Sequence, residues 1–192
     1  MVVFDTSVLT LAFDPSANAP TDPSTGELLS DAQARMDHLI KTLSKSKERI
    51  LIPTPVLSEY LVKAGADRDK RLLEFTGSKV FVVAPFDLRA AVECAAIEEA
   101  GPRRNRTLTE SESKAKVKFD RQIIAIAIVR GATTIYTGDK KLAATARLNG
   151  LHVVMTWELA LAPVDPQLEL PYEAAESSEG QKPLAASPDW GT

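Results

Sequence analysis

The chain has 192 residues, 44% hydrophobic and 26% charged, a size and balance for one globular domain with appendages that excludes wholesale disorder and fibrous repeats. No apolar run reaches the roughly 18 residues of a membrane span, and one cysteine with two histidines excludes an internal disulfide and a zinc site of the usual nitrogen and sulfur kind. A net charge of −3 conceals an acidic end, where Glu169, Glu173, Glu176, Glu179 and Asp189 face Lys182 alone, and a basic stretch from Arg103 to Arg121.

The start, MVVFDTSVLTLAF, has no basic region ahead of its apolar residues, which predicts a cytoplasmic protein. Met1 to Phe4 reads as a first strand, and the Pro-, Ser- and Asn-containing segment from Asp14 to Gly26 as a loop insertion. Ser30 and Gln33 form the pattern of a capping box before Ala32, Met36, Leu39, Ile40 and Leu43, whose spacing predicts an amphipathic helix to about Ser46. Arg49 to Ile52 reads as a second strand. After Pro53, Thr54 as N-cap and Pro55 at the first helical position predict a helix that stops at Gly65, and a short helix follows from Asp67 to Phe75.

Val80 to Val83 reads as a third strand, and an alanine-rich helix, with Cys94 packed inside it, runs from Asp87 to Ala100 until Gly101 and Pro102 stop it. A long helix ends at Gly131, and its stretch from Ile123 to Val129 is apolar all round, as in a helix buried on every side. Thr133 to Tyr136 predicts a fourth strand, Lys140 to Asn149 a helix closed by Gly150, and Leu151 to Met155 a fifth strand. The alternation of short β-branched runs with helices predicts an α/β fold around a mostly parallel sheet of four to five strands. This domain spans residues 1–162. Residues 163–192, rich in Pro, Ser, Ala and Glu without periodicity, read as an acidic, disordered tail.

Four carboxylates stand out against this frame. Asp5 directly follows the first strand and Asp139, in Thr137-Gly138-Asp139, the fourth, at the edge where parallel sheets bind ligands; either could equally serve as an N-cap. Glu59 lies early in the helix after the second strand, where a solvent-facing role would be ordinary. Asp120 shares a helix face with Ile124 and Ala127, and a carboxylate carried into an apolar layer needs a cation, whether Arg121, another basic side chain or a metal. Unit charges about 4 Å apart at an effective dielectric near 20 repel by roughly 4 kcal/mol per pair, so four acids gathered at one sheet edge call for a positive filler. Oxygen donors without a nearby histidine or cysteine suit Mg²⁺ or Mn²⁺. His38 and His152 read as a helix-surface and a strand residue.

Asp5-Thr6-Ser7 after the first strand, Glu59 after a proline-led strand exit, Asp120 ahead of IIAIAIV and Asp139 in Thr137-Gly138-Asp139 resemble, in order and local context, the acidic quartet of PIN-domain nucleases. The resemblance runs over residues 1 to about 156. It implies a three-layer α/β/α fold and metal-dependent endoribonuclease activity, as in the toxins of VapBC-type toxin and antitoxin pairs, with Asp5, Glu59, Asp120 and Asp139 lining the pocket and Asp5, Asp120 and Asp139 holding the Mg²⁺ or Mn²⁺. It implies RNA as substrate and an antitoxin as partner, and members of the family often form homodimers. The chain departs from the family at Lys141, where many members carry a further acid. Thr6, Ser7 and Thr137 read as groups that orient the acids rather than as nucleophiles, since no histidine or lysine is placed by sequence to activate them. Arg103, Arg104 and Arg106, upstream of Asp120, read as contacts to the phosphate backbone. No run of aromatics alternates with basic residues, so a stacking platform for single strands is not expected and recognition is by shape.

Overall fold

The computed structural model describes residues 1–100 and 114–163. Arg103, Arg104, Arg106, the stops at Gly101 and Pro102, and the acidic tail beyond Pro163 lie outside the described residues.

Among the described residues, five short strands form one parallel sheet: β1 (Val2–Phe4), β2 (Ile50–Pro53), β3 (Phe81–Ala84), β4 (Thr134–Thr137) and β5 (His152–Met155). Their order is β3-β2-β1-β4-β5. Seven helices flank them: α1 (Thr6–Phe13), α2 (Ala32–Lys45), α3 (Thr54–Ala64), α4 (Arg68–Gly77), α5 (Leu88–Ala100), α6 (Lys114–Val129) and α7 (Lys140–Leu148). This is the α/β architecture the alternating pattern predicts, with each strand boundary within about a residue of its expected place. The first strand is central. β1 pairs with β2 through Val2↔Ile50 and with β4 through Val2↔Thr134, Val3↔Ile135 and Phe4↔Tyr136, and Val3, Phe4, Ile50, Leu51, Ile52 and Ile135 are fully buried. Strand order reverses between β1 and β4, and such a reversal opens a crevice at the carboxyl ends of the two strands.

α6 carries the apolar run that the sequence marks as buried. Ile123 to Ala127 are all inside, whereas Ile128 and Val129 are only partly covered, so full enclosure extends over little more than one turn. A satellite of rings closes one end of the core: Phe75 lies 5.2 Å from Phe13 and 5.4 Å from Phe81 between centroids. Arg71 is 5.5 Å from the Phe13 ring and donates to the Phe13 carbonyl at 2.8 Å, which fixes the end of α1 where the insertion leaves it.

Two local expectations are corrected. The capping box at Ser30 and Gln33 does not form: Asp31 occupies the N-cap in the left-handed region at φ 54° without a side-chain cap bond, and Gln33 donates instead to Asp37 at 3.3 Å. Thr54 is not the N-cap of α3, because Pro53 holds that position and the Thr54 hydroxyl accepts from the Phe86 N–H at 3.2 Å. At Gln33 a neighbouring side chain one helical turn on takes the amide, and at Thr54 a long-range contact outcompetes the local one. Gly65 does end α3, with φ 54°.

The insertion is held by its own bonds. Asp14 accepts from the Ser16 N–H and hydroxyl at 2.9 and 2.6 Å, Asp22 accepts from those of Ser24 at 2.8 and 2.6 Å, and Thr21 bridges Leu28 antiparallel.

Truncating Ile126, wholly enclosed in α6, removes methylenes that neighbours cannot replace. Ile126→Ala should cost about 2–5 kcal/mol in urea unfolding, against a change of under about 0.5 kcal/mol for exposed Ala144→Ser.

Candidate active site

Asp5 sits where β1 ends and α1 begins. Its Oδ1 caps the helix, accepting from the Val8 N–H at 2.9 Å and the Ser7 hydroxyl at 2.7 Å. Its Oδ2 accepts from the Thr137 hydroxyl. That hydroxyl also accepts from the Asp139 N–H at 2.9 Å, so one side chain joins the first acid to the backbone of the last. The parallel register places Asp5 and Thr137 side by side, the next pair beyond Phe4↔Tyr136. Asp5 is only 5% exposed, and burial raises its carboxyl above the ordinary range, against the lowering pull of Thr137, Ser7 and the backbone.

Asp139 repeats the arrangement at the start of α7. Its Oδ1 accepts from the N–H groups of Lys141 and Leu142 at 2.7 and 3.2 Å, while its Oδ2 meets the Lys116 ammonium at 2.5 Å. Burial works against ionisation, but Lys116 and the two backbone donors outweigh it and hold the carboxyl below its usual value. For both aspartates, capping and a place in the crevice are compatible, because capping uses one oxygen and leaves the other.

Glu59 reaches the site from α3. Its Oε2 accepts from the Thr6 hydroxyl at 2.9 Å and its Oε1 pairs with Lys63 at 3.0 Å; burial again opposes ionisation, and Lys63 and Thr6 overcome it to lower the pKa. Asp120, on α6, lacks comparable support. Burial, and after it the charge of Asp139, push its pKa from 3.8 to about 6, with Lys116 opposing and Asp5 and Glu59 adding to the rise. Arg121 does not pair with it, being bound to Glu98 at 3.0 Å.

The structure therefore brings Asp5, Glu59, Asp120 and Asp139 into one electrostatic neighbourhood, with Thr6 bonded to Glu59, Ser7 and Thr137 to Asp5, and Thr137 also to the Asp139 N–H. The expectation that a divalent cation alone makes this tolerable needs revision. Lys116 lies on Asp139 within the fields of Asp120 and Glu59, and among the described residues no group of three or more acidic, histidine or cysteine side chains is arranged to hold a metal ion. Mutual repulsion is relieved by lysines, by hydroxyls and by a proton that Asp120 holds up to about pH 6. The donor set nonetheless suits a hard divalent ion, being all oxygen and drawing an ammonium into its midst.

Sequence reasoning missed the two lysines, although the signal was present: Lys63 stands four residues after Glu59 and Lys116 four before Asp120, one helical turn in each case. Gly138, between Thr137 and Asp139, is set by packing. A Cβ there would come within 3.0 Å of the Ser7 hydroxyl and 3.2 Å of the Thr156 hydroxyl, and the Gly138 N–H donates to Ser7 at 2.8 Å, so the absence of a side chain is what lets the β4–α7 turn close on α1.

The PIN domain family model matches residues 26–148, and the chain belongs to the PIN domain family. The match begins after Asp5, which joins the other acids through the β1–β4 pairing. Among solved structures, VapBC2 from Rickettsia felis bound to a DNA fragment from their promoter shares the fold, with a TM-score of 0.52, 14% identity, and coverage of 81% of this chain and 98% of that one. The Mycobacterium tuberculosis VapC20, a sarcin-ricin loop cleaving toxin, follows with a TM-score of 0.49, 15% identity, and coverage of 75% and 94%. No curated protein matches by sequence.

Asp120 binds its proton more tightly in the folded chain than in the unfolded one. Its contribution to stability is therefore fully present below its ordinary value of 3.8 and lost as pH rises through about 6; Asp5, also raised, acts in the same direction. Asp120→Asn removes that loss, so the melting temperature of the variant should gain on wild type between about pH 4.5 and about pH 7.5, as measured by thermal unfolding without divalent ions.

Proposed function

We propose that this chain is a metal-dependent endoribonuclease that hydrolyses RNA phosphodiester bonds, acting as the toxin of a toxin–antitoxin pair. The observation that carries the reading is the convergence of Asp5, Glu59, Asp120 and Asp139 at the crevice between β1 and β4, two of them tied together through Thr137. Asp5, Asp120 and Asp139 would hold Mg²⁺ or Mn²⁺, with Glu59 beside them. A divalent ion bound there supplies a more acidic water and neutralises charge building on the phosphodiester. The residues supply the rest. Thr137 and Ser7 fix the Asp5 carboxylate, Thr6 aims Glu59, and the α7 N–H groups hold Asp139 by one oxygen so that the other faces the crevice. Asp120, with its pKa near 6, is the acid most readily charged or discharged around neutrality. Arg103, Arg104 and Arg106 grip the phosphate backbone, and an antitoxin partner and a homodimer fit the same role.

Lys116 on Asp139 and Lys63 on Glu59 favour a second reading, a PIN module that binds RNA or protein without cutting and whose lysines stand permanently in place of a cation. Incubation of wild type with RNA in Mn²⁺ and in EDTA separates the two. The nuclease cleaves only in Mn²⁺, Asp5→Asn and Asp139→Asn each lose roughly 100-fold or more, and Mn²⁺ raises the melting temperature of wild type. RNA bound intact under both conditions identifies the binding module.

Arg103→Ala with Arg104→Ala should weaken RNA binding and reduce its dependence on salt by about one counterion per lost contact. An unchanged salt slope in a filter-binding titration removes the segment from the RNA path.

A further inference from the structure

A groove of about 710 Å³ opens beside Asp139, within the range of roughly 300–1,000 Å³ typical of small-ligand clefts. One wall is the insertion, from Asp14 to Thr21; the other is the turn after β5 with Thr156 and Trp157, and Ser7, Thr10 and Lys63 line it between them. Both walls are anchored. Arg71 holds the Phe13 carbonyl where the insertion begins, and Arg35 bonds the Ser30 carbonyl at 2.9 Å and the Leu159 carbonyl at 2.6 Å, tying the start of α2 to the segment behind Trp157. The Trp157 ring is further steadied by the Lys140 ammonium 5.8 Å from its centroid.

The groove shares Ser7, Lys63, Gly138 and Asp139 with the acid crevice, but the rest of its lining carries few charges. Hydroxyls from Ser7, Thr10, Ser16 and Thr156, the Asn18 amide and one indole lie among apolar lining from Leu11, Ala17 and Pro20, so neutral residues outnumber charged ones around a flat aromatic ring. Lys63, its cation, is already paired with Glu59, and Asp14 and Asp139 would repel phosphate. Neutral donors and acceptors around an aromatic plane suit a base and its ribose. The Gly138–Ser7 contact, with Asp139 next to it, belongs to both places, so a ligand in the groove abuts the carboxylates.

We propose that this groove is a nucleoside subsite: it takes the base and ribose of a nucleotide flanking the scissile phosphate of single-stranded RNA, with the base stacked on Trp157 and read by the insertion through Asn18 and its neighbours. The proposal rests on the nuclease reading and adds to it a place where base identity is sensed. The insertion then acts as a specificity wall rather than as a spacer between α1 and α2.

The test uses the full chain. Trp157 and Trp190 are the two tryptophans, so Trp190→Phe leaves Trp157 as the sole indole reporter. Short single-stranded oligoribonucleotides titrated in EDTA should quench its fluorescence, with different affinities for oligomers of different base, and Asn18→Ala should alter that ranking. Trp157→Ala should weaken binding by roughly tenfold, the scale of one lost base stack, with anisotropy of a labelled oligomer as readout. Since Trp157 also packs on the core, Asn18→Ala, at an exposed loop position, carries the test if Trp157→Ala does not fold. Anisotropy that reports binding and a Mn²⁺ assay that reports cleavage, with no quenching and no effect of Asn18→Ala, overturn the subsite and leave the nuclease intact. Neither binding nor cleavage by wild type overturns both.

Discussion

The bond from the Thr137 hydroxyl to the buried Asp5 carboxylate is the constraint on which the site depends. A carboxylate at 5% exposure is costly unless its lone pairs are satisfied, and the chain satisfies them with two hydroxyls and a helix N-terminus rather than with a cation of its own. Only the pairing of β1 with β4 brings Thr137 to Asp5, so sheet register and site geometry are one specification. A slip of one residue would turn every strand side chain to the opposite face and part the two residues.

Electrostatics then divide the acids by their supports. Asp139 and Glu59, each with a lysine, stay readily ionised, whereas Asp120, half-buried beside Asp139 and with no close donor among the described residues, holds its proton to about pH 6. Lys116 is an ammonium on a flexible stem, able to swing aside, which reconciles a crevice suited to a divalent ion with the lysine that lies on Asp139.

Most of the fold was legible in the sequence because hydrophobic period, β-branched runs and the Gly and Pro stops agree with one another along the chain. The five strands and the wholly apolar turn of α6 follow from that agreement. Where a residue had two partners to choose from, local reasoning failed: Ser30 and Gln33 satisfy the capping-box spacing, and Thr54 the N-cap preference, yet Gln33 bonds Asp37 and Thr54 bonds Phe86 across the chain. The acids and the hydroxyls bonded to two of them could be picked out from their positions just past strands. Lys63 and Lys116 could have been found from helical spacing but carry no mark that separates them from any solvated lysine, and the groove beside Asp139 depends on how a long insertion folds back, which no periodicity encodes.

The placement of the first strand in the middle of the sheet bears on how the protein is born. Synthesis delivers Val2 to Phe4 before the other strands, but their neighbour on one side, Thr134 to Thr137, emerges from the ribosome only after some 130 further residues. Until then Asp5 has no Thr137 to meet and the crevice has a single wall. A nascent or truncated chain is thereby left without the assembled pocket, because one of its two walls is still missing.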